Sequence, residues 1–90
     1  MNHVAAYKYI CSQLTEVQNL GFAELQNRIG TRITKDITSS DGKLYHVETT
    51  IDWDNPDQKA ISLRTLVHDN NSFQFESLEE SVKVLRTNER

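Results

Sequence analysis

Residues 43–68, KLYHVETTIDWDNPDQKAISLRTLVH, decide the fold because they contain two runs of alternating apolar and polar residues joined by a polar loop. In the first run, Tyr45, Val47 and Ile51 occupy odd positions, and Leu63 continues the pattern in the second run. Successive side chains of a strand point to opposite faces of a sheet, so this alternation is typical of strands that bury one face. The segment is predicted to be the central hairpin of an antiparallel sheet.

The composition is that of a globular domain, with 37% hydrophobic and 26% charged residues in a chain of 90. A net charge of −3 and the lack of a basic stripe argue against binding to nucleic acid. The single cysteine cannot form an internal disulfide, and no apolar run is long enough for a signal peptide or a membrane span. We therefore expect a single α+β domain, residues 1–90, in the cytoplasm.

The N-terminal third is predicted to be helical, because its apolar residues share one face at the helical spacing. Gly21 interrupts this stripe, which indicates either one kinked helix or two helices, and Gly30 ends the helical region. The stripe contains Val4, Tyr7, Cys11, Leu14, Phe22, Leu25 and Ile29.

A weakly alternating segment, residues 31–38, is predicted to be an edge strand. The length of the turn that follows can be deduced from parity, the alternation of inward-facing and outward-facing positions along a strand. Only a three-residue loop keeps the apolar residues on one face of both strands. That loop, residues 40–42, pairs Ile37 with Tyr45 and ends on Gly42 in the left-handed conformation.

The next hairpin is predicted to pivot near Pro56, which pairs Ile51 with Ile61 and Val47 with Thr65. The same registers predict an outer-face row of charges. This row contains Glu48, Arg64 and Glu76.

A turn at residues 69–71 leads to a predicted fourth strand that begins at Ser72 and ends at Glu76. Ser77 with Glu80 three positions on has the spacing of a capping box, which predicts a C-terminal helix. Its inner stripe contains Leu78, Val82 and Leu85. The predicted fold is thus an N-terminal helical region, a four-stranded antiparallel meander and a C-terminal helix, with the helices on one face of the sheet.

Several residues invite a chemical interpretation that their spacing does not support. Cys11 lies on the helical stripe and is expected to be a buried hydrophobe. The histidines His3, His46 and His68 lack the close spacing of a zinc site, and the acidic loop at residues 52–57 lacks the glycine and distant glutamate of an EF-hand. We therefore predict no metal, no cofactor and no catalytic residues.

The predicted registers assemble one candidate binding surface on the outer face of the sheet. His46 is expected opposite Leu66 and Leu44 opposite His68, with Asp36 opposite His46 as a polar rim. Chance exposure of two leucines is the alternative explanation. The histidines would make binding sensitive to pH in the range of about 5 to 8.

The function predicted from these features is protein interaction or regulation, through the sheet face or an edge strand. A homodimer is expected, formed through the predicted edge strand from Ser72 to Glu76 or through the sheet face. The alternative is a small-ligand or enzymatic domain with a pocket between the helices and the sheet.

Overall fold

The computed structural model describes residues 2–69 and 77–86. Within these residues, two helices precede a four-stranded antiparallel sheet in which each strand pairs with the next in sequence, as the α+β prediction requires. The elements are α1 His3–Gln18, α2 Gly21–Gln26, β1 Arg32–Thr38, β2 Leu44–Trp53, β3 Ala60–Asp69 and β4 Ser77–Leu85.

The first helix begins with a side-chain cap and ends before a glycine. The Asn2 side chain accepts a hydrogen bond of 3.1 Å from the N–H of Ala5, while the N–H of Asn2 donates to the Tyr45 hydroxyl. Gly21 opens α2 with a φ of 83°, a conformation that favours glycine. The predicted break near Gly21 is confirmed.

The predicted stripe on α1 is wrong for its first half. Val4 and Tyr7 are 72% and 50% exposed, and Cys11 is exposed as well. The buried face instead contains Ala6, Ile10, Gln13, Leu14 and Val17. The predicted stripe assumed one helix, or two nearly collinear helices, that carry the repeat into residues 22–29, and the break at Gly21 uncouples the orientation of the two helices.

The first hairpin has the predicted register. Ile37 pairs with Tyr45, and the N–H of Ser39 donates to the carbonyl of Lys43 across the turn. Gly42 has a φ of 87°, as the three-residue loop requires. The Asp41 carboxylate accepts hydrogen bonds from the Ser39 hydroxyl and the Lys43 N–H, which lower its pKa below the ordinary value.

The second hairpin has the predicted faces but a register shifted by two residues. Ile51 pairs with Leu63 rather than with Ile61, and Val47 pairs with Val67 rather than with Thr65. The centre of the turn is one residue beyond the predicted pivot, and Gln58 takes a left-handed conformation with a φ of 60°. Moving a turn by one residue moves every cross-strand partner by two, so each side chain stays on its face.

The predicted C-terminal helix is wrong, because Ser77–Leu85 is a strand that pairs with β3. Leu78 and Val82 fit both a helical stripe and a strand alternation, but Val84 also contacts the core whereas Leu85 is 66% exposed. Nine residues form a marginal helix alone, and pairing with β3 satisfies their backbone groups. The predicted fourth strand, from Ser72 to Glu76, lies outside the described residues.

One buried cluster joins α1 and α2 to the odd-numbered residues of β2 and β3. At its centre, the hydroxyls of Thr49 and Thr65 form a hydrogen bond of 2.7 Å with both residues fully buried. The buried apolar residues are Ala6, Ile10, Leu14, Val17, Leu25, Tyr45, Val47, Ile51, Ile61, Leu63 and Val67. The even-numbered residues of β2 and β3 form the opposite, outer face, which no described element covers. No helix in the described part of the chain is long and apolar enough to cross a membrane.

Candidate functional site

The candidate site lies on the outer face, at the end of the sheet where β2 begins and β3 ends. We call it the outer-face patch and define it by the five residues that the sequence predicted for it. These are Asp36 on β1, Leu44 and His46 on β2, and Leu66 and His68 on β3. All of them except the exposed Asp36 are half-buried although no described element covers them.

Asp36 and His46 face each other across β1 and β2, as predicted. The distance from His46 Nδ1 to Asp36 Oδ1 is 2.7 Å. A carboxylate accepts hydrogen bonds, so this contact assigns a proton to Nδ1. Asp36 therefore orients the imidazole and directs Nε2 away from β1.

His46 pairs with His68, not with Leu66 as predicted. The two imidazole centroids are 5.0 Å apart and the rings are tilted by 33°. This pairing follows from the two-residue register shift of the second hairpin. Leu44 and Leu66 consequently flank the histidine pair on opposite sides along the strands, instead of each facing a histidine.

Next to the patch, charges alternate in sign from one cross-strand row to the next. Leu66 lies between Glu48 on β2 and Glu79 on β4. Each glutamate bonds a guanidinium of the neighbouring row at 3.1 Å, Arg32 for Glu48 and Arg64 for Glu79. Carboxylates thus border the patch, and the cations lie one row further away.

The predicted row of Glu48, Arg64 and Glu76 is wrong. Arg64 is on the outer face, but it pairs with Thr50 and Ser81, while Glu76 lies outside the described residues. The register shift is again the cause.

No family model, curated protein or solved structure matches the chain.

Among the described residues, no group of three or more His, Cys, Asp or Glu side chains is placed to hold a metal ion. Two carboxylates of the acidic loop contact residues of this chain. Asp54 forms an ion pair of 3.3 Å with Lys83, and Asp57 accepts a hydrogen bond from the N–H of Lys59. The loop is thus tied to β4 and to its own turn.

A shallow groove of about 210 Å³ lies between α1 and β4. A hydrogen bond to Cys11, together with the nearby charges of Cys11 and Glu80, raises the pKa of Tyr7. The groove is lined by Tyr7, Ile10, Cys11, Leu14, Thr15, Gln18, Glu80 and Val82. Sequence reasoning missed it because residues 77–85 were assigned to a helix and Cys11 to the core. An alternation of Leu78, Glu80 and Val82 on one face was the available signal.

Proposed function

We propose that this chain is a cytoplasmic, single-domain protein-interaction module that binds a protein partner through the outer-face patch. The observation that supports the proposal is a set of apolar and hydrogen-bonding side chains on a sheet face that no described element covers. Single exposed apolar residues are ordinary on protein surfaces, but a contiguous group bordered by polar residues is typical of interaction sites.

The patch combines the two kinds of contact that protein interfaces use. Leu44 and Leu66 offer apolar area, and the imidazoles of His46 and His68 offer hydrogen-bonding groups between them. Glu48 and Glu79 border Leu66 with carboxylates. The partner surface that fits best has an apolar side chain at its centre and polar residues around it.

Binding of a small ligand between the helices and the sheet is the less favoured alternative. The groove between α1 and β4 has a volume of about 210 Å³. Ligand pockets are typically about 300–1,000 Å³ and enclose most of the ligand. The groove is smaller than that, and it opens along an edge strand.

The test is the double substitution Leu44→Asp, Leu66→Asp, which places charge in the patch without changing the core. We expect affinity capture with the tagged variant to lose the protein that the unsubstituted chain captures, because a buried unpaired carboxylate is costly at an interface. The melting temperature is expected to fall only slightly: both leucines lie on the uncovered face, but the new carboxylate at position 66 lies between Glu48 and Glu79.

The matched control is Thr50→Asp, Ser62→Asp, which adds the same charge to the outer face but outside the patch. Thr50 pairs with both Arg32 and Arg64, and Ser62 pairs with Lys83 on one side and Asp52 on the other, so each new carboxylate has a cation nearby and one also faces a carboxylate, as at position 66. This control should keep the partner. If both variants keep it, the patch is not the binding site; if the patch variant unfolds, its leucines belong to a core.

A further inference from the structure

The second edge of the sheet is β4, whose outward backbone groups can be identified from the hydrogen-bond pattern. The N–H of Arg86 donates to the carbonyl of Lys59 on the β3 side. Backbone groups alternate in direction along an antiparallel strand, so even-numbered residues of β4 bond to β3. The odd-numbered residues, centred on Ser81, therefore direct their N–H and C=O groups to the edge that no strand of the described residues pairs with.

The charges on this edge are self-complementary. Glu79 and Lys83 lie two residues before and two residues after Ser81, on the same outer face of β4. We propose that β4 pairs antiparallel with β4 of a second copy about a twofold axis at Ser81, which extends the sheet across both chains. Glu79 then lies opposite Lys83 of the second copy, and the same pair repeats across the axis.

The neighbouring registers are less favourable. A twofold axis at Glu80 sets the two copies of that carboxylate directly opposite each other, and like charges in that position are destabilising. An axis at Val82 places Glu79 opposite Leu85 and Ser81 opposite Lys83, which forms no ion pair. All three registers keep each side chain on its own face, and among them only the axis at Ser81 pairs opposite charges.

The side of α1 next to β4 supports the same partner. A twofold axis perpendicular to the sheet keeps both copies of α1 on one face, with the sides that carry Val4, Tyr7 and Cys11 directed at each other. Val4 and Tyr7 are 72% and 50% exposed, and Tyr7 and Cys11 line the groove beside β4. Contact with the second copy would cover this apolar side and the groove together.

Glu80 limits the strength of the association. It faces the helix side of the sheet beside Val82, in the groove. In the proposed register it lies opposite Val82 of the second copy, and the two copies of Glu80 are diagonal neighbours about 7–8 Å apart. An inward charge on an edge strand opposes pairing, so the dimer is expected to be reversible and Glu80→Gln to tighten it.

This interface uses none of the five residues of the outer-face patch; only Glu79, which borders Leu66, lies next to both surfaces. The outer-face patch lies on β1, β2 and β3, whereas the dimer uses β4 and one side of α1. Adding a strand in the plane of the sheet leaves the patch uncovered. Loss of one interaction therefore does not require loss of the other.

Sedimentation equilibrium of four chains tests the proposal: the unsubstituted protein, Glu79→Lys, Lys83→Glu and the double exchange. The unsubstituted protein is expected to dimerise at high micromolar concentration. Each single reversal sets like charges opposite each other twice, which should weaken the dimer roughly tenfold or more. The double exchange should restore it, because opposite charges face each other again.

Recovery of the dimer in the double exchange distinguishes an effect at this interface from an effect within one chain. Within one copy, Glu79 bonds Arg64 and Lys83 bonds Asp54. The double exchange turns both of those ion pairs into contacts between like charges, so it cannot restore them. A double exchange that dimerises as weakly as the single variants, or four monomeric chains, would overturn the proposal. The control is Thr34→Lys on the β1 edge, which should leave the dimer unchanged. Loss of the dimer in this control would also contradict an interface at β4.

Discussion

At the scale of single residues, Gln13 is a polar side chain in an unfavourable, buried environment. It is only 3% exposed on the buried face of α1, and neither its amide nitrogen nor its amide oxygen has a hydrogen-bond partner among the described residues. Burial removes an amide from water, and without a partner the lost hydrogen bonds are not replaced. The amide therefore lowers the stability of the folded chain.

Gln13→Met keeps the length of the side chain and removes its polar atoms. We expect the free energy of unfolding to rise by about 1–2 kcal/mol, measured by urea denaturation. The control is Gln18→Met at the exposed end of the same helix, which should change stability by less than about 0.5 kcal/mol. A loss of stability in Gln13→Met would show that the amide is hydrogen-bonded in solution.

The charged residues that face inward on the two edge strands are another feature at this scale. Lys35 on β1 extends to Glu16 on α1, with Nζ 3.3 Å from Oε1. An edge lysine that extends past the core was predictable, because Lys35 lies between two inward isoleucines. Its partner was not, because the rotation of α1 depends on contacts that a helical stripe alone does not fix.

At the scale of elements, residues 77–85 show how one sequence can satisfy two periods. Ser77 and Glu80 have the spacing of a helix cap, but the segment has β-branched residues at 82 and 84. Local propensity did not decide between the two structures. Pairing with β3 selects the strand over the helix, and this long-range contact cannot be read from the local sequence pattern.

Val84 and Leu85 distinguish the strand from the helix, because the two structures bury different members of this pair. In the strand, Val84 packs against the core and Leu85 is 66% exposed. Val84→Ala should therefore lower the free energy of unfolding by roughly 1–2 kcal/mol, and Leu85→Ala by less than about 0.5 kcal/mol. Urea denaturation of both variants measures the difference, and the reverse order would contradict the strand.

The two hairpins differ in how far the sequence determines them. Gly42 fixes the first turn, so parity led directly to the pair of Ile37 and Tyr45. The second turn has no glycine, and Gln58 takes the left-handed conformation that a sequence pattern does not assign to glutamine. The register of β2 and β3 was therefore not predictable. Their faces were, because the alternation of apolar and polar residues assigns the faces without the turn.

At the scale of the whole molecule, the sheet has one face packed against helices and one face that no described element covers. The predicted members of the outer-face patch remain on the outer face, because a register shift of two residues does not change parity. Their neighbours changed, since His46 meets His68 instead of Leu66. Sequence alone therefore predicted which residues lie on this face and that Asp36 pairs with His46, but not how β2 pairs with β3.

The central claim is that this outer face binds a protein, and site-specific photo-crosslinking tests it most directly. A benzophenone amino acid replaces Leu66 in one chain and Lys8, exposed on α1, in a matched chain. We expect a covalent adduct with a different protein from position 66 and none with a different protein from position 8. An adduct from position 8 only, or no adduct from position 66, would contradict it.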